Sequence, residues 1–131
     1  MPSVYIAGPD VFYPDAATRI QRHLEVCSAV GLTALVPVDN EGLAGTPRDQ
    51  ALSIYRGNRE KMATADAIIA NITPFRGPHM DPGTAFEIGF FVALGKPVVC
   101  YSQDPKMLAE RVLSWSGQSR CPVSADQRDR D

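Results

Sequence analysis

Apolar residues along the chain gather into short runs separated by stretches with helical spacing. Val4–Ala7, Thr33–Val36, Ala67–Ile72 and Pro97–Tyr101 are compact runs bounded by breakers such as Gly8-Pro9 and Pro37, which predicts four strands. Between the first two, Ala16, Ile20, Leu24, Cys27 and Val30 recur every three or four residues, which predicts a helix over 15–30. Pro47 suits a first helical position, so a second helix starts there and runs to about Ala65. A breaker-rich loop, TPFRGPHMDPG, precedes a third helix over 84–95, with Gly95 as its cap. Asp104-Pro105 opens a last helix to about Trp115.

Strands that alternate with helices predict a parallel sheet covered on both faces. Right-handed crossovers then make a flavodoxin-like three-layer α/β/α sandwich, with four to five strands, the simplest architecture. Residues 1–115 form one domain in this reading. Residues 116–131, SGQSRCPVSADQRDRD, hold little that packs a core and read as a polar tail or a truncated loop. In such sheets ligands bind at the carboxyl ends of the strands. Two loops leave that edge: AGPDVFYPD after the first strand and TPFRGPHMDPG after the third.

One acid stands out against this pattern. In TAFEIGFFVALG every residue is apolar or small except Thr84 and Glu87, so the helix reads as buried nearly all round. Thr84-Ala85-Phe86-Glu87 matches the S/T-x-x-E capping box, in which the glutamate folds back on the helix start. The alternative is chemical. Burial raises a carboxylate's pKa while a helix N-terminus lowers it, and groups held in that tension cluster at active sites. Asp81 lies in the loop that ends at the same helix start, and two carboxyl groups at one pocket are the minimum set for cleaving a glycosidic bond through a covalent intermediate. Tyr5, inside the first strand, is either packing or a hydroxyl that orients Glu87. Asn58 shares a helix face with Ala51, Leu52, Tyr55 and Met62, and either bonds backbone or points into the pocket.

Composition narrows the partners. Hydrophobic residues make up 44% and charged residues 21%, as in ordinary globular proteins, and a net charge of −2 gives no surface suited to nucleic acid or membrane. The longest apolar run, within 85–94, is too short to span a bilayer. The start, MPSVYIAGP, has no basic n-region, and the three cysteines form no CxxC pair, so reduced thiols in a cytoplasm are expected. His23 and His79 have no ligand spacing, and no metal is expected.

Taken together, VYIAGPDVF (4–12), VPVDNE (36–41), ADAIIANITPFRG (65–77) and DPGTAFEIGF (81–90) resemble the nucleoside 2-deoxyribosyltransferases over about residues 3–101. That resemblance implies a flavodoxin-like fold, no cofactor, and a homo-oligomer that moves 2-deoxyribose between bases of 2′-deoxynucleosides and free nucleobases by a retaining double displacement. It implies Glu87 as nucleophile, Asp81 as the acid that binds the sugar hydroxyl, and Tyr5 as the residue that orients the nucleophile. The motif also carries Gly8, Pro9, Asp10, Phe12 and Gly83 as substrate-binding positions, with Phe12 packing on the base. Asn58 falls where some members have an aspartate that helps protonate the leaving base. An amide cannot supply that proton, which leaves solvent or another carboxyl such as Asp10. Members of the family continue into a segment ending near an Asn-Leu-Met run that completes a neighbouring subunit's pocket, and these 131 residues do not contain it. Two other functions fit the same pattern: a 2′-deoxynucleoside 5′-monophosphate N-glycosidase and a non-catalytic nucleotide-sensing module. Asp10 and Asp15 in the first loop disfavour a phosphate, although Arg76 could offset them.

Overall fold

The computed structural model describes residues 1–37 and 44–118, with backbone alone for 116–118. Most of the VPVDNE motif, Cys121 and the stretch beyond 118 lie outside the described residues. Among those residues, four parallel strands run in the order β2-β1-β3-β4: β1 Ser3–Ala7, β2 Thr33–Leu35, β3 Ala67–Asn71 and β4 Val98–Tyr101. The helices are α1 Ala16–Ala29, α2 Pro47–Thr64, α3 Pro82–Ala93 and α4 Leu108–Gln118. The flavodoxin-like expectation holds, within one or two residues at most element ends.

Side chains alternate across β1 and so build two cores. Tyr5 and Ala7 point to one face and pack with Ile68 and Ala70 of β3, Met62 of α2 and Phe91 of α3. Val4 and Ile6 point to the other face, where they meet Cys27 of α1, with Ala67 and Ile69 alongside. The sheet is therefore sandwiched between α1 below and α2 with α3 above. Lys96 ties the layers together at the far edge. Its ammonium donates to the carbonyls of Ala63 at 2.6 Å and Ala65 at 2.7 Å, the orphan acceptors at the end of α2.

Three expectations need correction. First, the capping box sits on α2, where Thr46 and Asp49 cap reciprocally and Pro47 occupies the first helical turn. α3 instead begins at Pro82 with Asp81 as N-cap, so Thr84 lies inside the helix and makes no box with Glu87. Proline favours the first helical position, and that outweighs the Thr-x-x-Glu pattern. Second, α3 is not buried all round: only Thr84 and Phe91 are buried, while Phe86 is 53% and Val92 62% exposed. One chain supplies neighbours for a single side of α3, namely β3, β4 and α2. Third, α4 runs to Gln118, so the first residues assigned to a tail continue the helix. Within the loop after β1, Pro9–Phe12 form a 3-10 turn.

Candidate active site

The sheet delivers Tyr5 to the root of α3. Its ring is fully buried against Phe91, and its hydroxyl donates to Glu87 Oε2. Glu87 is inside α3, beyond the turn where backbone amides need a cap, so its carboxylate is free of capping duty. Burial is the main influence on it and pushes its pKa up; the Tyr5 bond pulls down and the charge of Asp81 pushes up, leaving it at about 7, well above an ordinary glutamate. The Tyr5 phenol is driven upward by its own burial and by the neighbouring carboxylate, so it stays a donor.

Asp81 serves the same helix from its start. Its Oδ2 accepts from the Thr84 amide at 2.9 Å and the Thr84 hydroxyl at 3.0 Å. Both bonds fall on that one oxygen, which fixes the carboxyl beside the first turn. Gly83 lies in that turn, and a Cβ there would come within 3.1 Å of Asp81 Oδ2. Glycine thus keeps the approach to the acid open.

The turn after β1 lies at the same carboxyl edge of the sheet. Gly8 has φ 153°, and a Cβ on it would sit 2.8 Å from both Asn71 Cβ and Asp10 Oδ2. Pro9 is buried at the start of the 3-10 turn, and Asp10 follows it inward. Asp10 Oδ1 pairs with Arg19 at 3.2 Å, and its Oδ2 accepts from Asn71 Nδ2 at 3.4 Å. Asn71 Oδ1 in turn accepts from the Thr73 amide and hydroxyl, and the Thr73 hydroxyl accepts from the Gln103 amide. This chain of bonds staples the carboxyl ends of β1, β3 and β4. Both oxygens of Asp10 are therefore held by protein donors, so its visible work is to fix the 3-10 turn.

Phe12, at the end of that turn, is 55% exposed and stacks on Phe75 with ring centroids 5.6 Å apart. Tyr13 meets the edge of Phe75, and the Arg76 guanidinium lies over both Phe75 and Phe12. Asn58 is half-buried on α2, the helix that packs against β1 and α3. The structure thus bonds Tyr5 to Glu87, sets Asp81 at the N-cap of the same helix where its charge acts on Glu87, groups Gly8, Pro9, Asp10 and Phe12 on the turn after β1, and sets Gly83 at the helix entry. Sequence reasoning missed Asn71 as the partner of Asp10, and Phe75 as the ring that Phe12 and Tyr13 both meet. The available signal was aromatic residues after two adjacent strands, at the edge where ligands bind.

Comparison with known proteins bears on what this site belongs to. A family described as nucleoside 2-deoxyribosyltransferase matches residues 4–124. The chain belongs to the nucleoside 2-deoxyribosyltransferase family. A 2-desoxiribosyltransferase from Leishmania mexicana superposes with a TM-score of 0.75 at 34% identity, over 84% of this chain and 70% of that one. A 2-deoxyribosyltransferase from Bacillus psychrosaccharolyticus superposes with a TM-score of 0.66 at 22% identity, over 86% of this chain and 81% of that one, which supports the fold. An uncharacterized protein of Schizosaccharomyces pombe is 36% identical over 123 residues, covering 91% of this chain and 58% of the relative. The chain thus spans a little over half the length of that relative. Within this deoxyribosyltransferase fold no described helix is long and apolar enough to cross a membrane.

The Tyr5 contact is open to direct test. Removing its hydroxyl in Tyr5→Phe deletes the bond that lowers the Glu87 pKa, so the acid limb of any Glu87-dependent activity moves to higher pH. Freed from its donor, the carboxylate also wanders, and kcat falls on the order of tenfold to a hundredfold. A pH–rate profile of the variant against its parent reads both effects. An unmoved acid limb would show that the phenol does not act on this acid.

Proposed function

We propose that the protein transfers 2-deoxyribose between nucleobases through a covalent deoxyribosyl ester on Glu87. The observation that carries this reading is a half-buried carboxylate, free of capping duty, that receives the Tyr5 hydroxyl and feels the charge of Asp81. In the first step Glu87 attacks the anomeric carbon as the bond to the base nitrogen breaks, and the electron pair leaves with the base. The transition state resembles an oxocarbenium ion, which the nearby negative charge stabilises. Tyr5 holds the carboxylate in its attacking rotamer. Asp81 accepts from a sugar hydroxyl with the oxygen its cap leaves over. Gly8 and Pro9 shape the wall, with Asp10 holding it, and Phe12 packs on the base.

The leaving base takes its proton from solvent in this scheme, because Asn58 has none to give and Asp10 is held by Arg19 and Asn71. A nitrogen of a second base then attacks the anomeric carbon from the face the first base left, the bond to the Glu87 oxygen breaks and the carboxylate is released, and the base gives its proton to solvent, so configuration is retained. The likeness to the Leishmania mexicana transferase at 34% identity supports transfer over simple hydrolysis. A cytoplasmic salvage role accords with the cysteine usage.

Incubation with deoxyinosine and free adenine tests the reading. Deoxyadenosine is the expected product. Hypoxanthine without deoxyadenosine would make the protein a hydrolase, and no turnover of deoxyinosine or its 5′-phosphate would leave only a binding module. The apolar outer face of α3, with Ala85, Phe86, Gly89, Val92 and Ala93 all exposed, supports assembly into a homo-oligomer beside the nucleophile. Light scattering that gave a monomer mass at working concentration would remove that part of the reading.

A further inference from the structure

The rim formed by Phe12, Phe75 and Arg76 has features that the reaction above does not use. Arg76 is the one described non-glycine residue with a positive φ, at 55°. An arginine held there costs free energy, and such outliers persist where the surroundings demand a particular side-chain placement. Here the placement is on aromatic faces: the guanidinium carbon is 4.6 Å from the Phe75 centroid and 5.5 Å from that of Phe12. Its charge is not spent. Among the described residues no carboxylate pairs with Arg76, whereas Arg19 is committed to Asp10 and Asp15, and Arg111 to the carbonyls of Pro78 and Lys106. The rim also stands at the correct edge. Phe12 follows β1, whose Tyr5 bonds Glu87, and Phe75-Arg76 lie in the loop that runs from β3 to Asp81.

Resting on the transfer reading above, we propose that Arg76 selects the base, favouring 6-oxopurines over 6-aminopurines. The guanidinium has donors and no acceptor, in a planar fork. A 6-oxopurine presents O6 and N7 side by side as two acceptors, and that pair takes an arginine fork in a bidentate grip. A 6-aminopurine presents a donor in place of O6, so one arm of the fork is left facing an N–H. A base that stacks on the exposed Phe12 ring has its edge within the surface that Arg76 borders. The phenyl rings already hold the guanidinium at the rim, so little freedom is lost when the fork is used.

The test uses Arg76→Gly, which removes the fork and also relieves the left-handed backbone, so folding is not compromised. Binding of free hypoxanthine and of free adenine is measured by calorimetry for parent and variant, beside transfer from deoxyguanosine to each base. The expected result is a parent preference for hypoxanthine that shrinks about tenfold in the variant, in binding and in kcat/KM, with adenine changed less than about threefold. Arg76→Lys, which keeps charge without the fork, is expected to recover little of it. A hypoxanthine-to-adenine ratio that is the same in parent and Arg76→Gly overturns the proposal while leaving transfer intact. Arg76-dependent base binding without any transfer product sustains it and overturns the transfer reading. Binding of neither base by the parent overturns both.

Discussion

Replacing Glu87 by glutamine is expected to abolish the proposed deoxyribosyl transfer while leaving the fold at least as stable as the parent. Glutamine keeps the shape and an oxygen that can accept from Tyr5, and it lacks the negative charge that the proposed attack on carbon needs. A loss of at least about 10³-fold in kcat is expected, as for other enzymes stripped of their nucleophile. The stability effect has the opposite sign and a defined pH window. The folded-state pKa, about 7, lies above the ordinary value of 4.5. Such a group is bound to its proton more tightly in the folded state, so it favours folding below pH 4.5. That contribution is lost as pH rises through 7. Above pH 7 the parent therefore holds a buried charge at a cost, and the variant does not. Melting at pH 8 should show Glu87→Gln more stable, by on the order of 1–3 kcal/mol, and the gap should close near pH 4.5. A variant with parental transfer rates would end the case for this nucleophile. A variant destabilised at pH 8 would make the acid a structural element.

The second large effect belongs to Gly8. Alanine there meets Asn71 Cβ and Asp10 Oδ2 at 2.8 Å and must also adopt φ 153°, a region L side chains rarely occupy. Asn71 is on β3, so the clash is with the sheet itself and cannot be relieved by one flexible side chain. A loss on the order of 2–4 kcal/mol is expected, or roughly 6–15 °C in Tm for a domain of this size. Function should fall further than stability does. Displacement of Asp10 releases Arg19 and Asn71, and the turn that carries Phe12 loses its anchor. Assay at a temperature where the variant is fully folded separates the two losses. Parental Tm together with parental KM would show that the turn tolerates a side chain here.

Much of this was written into the chain in a form that simple rules can read. The alternation of apolar runs such as Val4–Ala7 with helical patterns foretold a parallel sheet covered on both faces, and Pro47 marked the start of α2. Gly95, with φ 67° just past α3, ended that helix as expected. Glu87, Asp81 and Tyr5 stood out because a carboxylate or phenol among apolar neighbours must have a partner. Other features are written as contacts between distant residues. The Asp10–Asn71 bond joins positions 61 apart, and no local spacing announces it. The start of α3 had two rival signals, and the choice of Asp81 depended on proline geometry. The exposure of α3 was illegible for a different reason: hydrophobicity says that a face seeks cover, not whether its own chain provides it.

The cap at Asp81 has a bearing on how such a site can be remodelled. Helix α3 begins at a fixed residue, and the acid at position 87 is carried at a set angle from that origin. Lengthening or recoding the segment from Pro74 to Met80 would re-aim the Phe75 and Arg76 part of the proposed rim and leave the proposed nucleophile where it was. A single residue inserted between Thr84 and Glu87 would swing the carboxylate about 100° around the helix axis, away from Tyr5. Within the stretch 74–87, the proposed specificity and the proposed chemistry are thus separable by position, with Asp81 as the border between them.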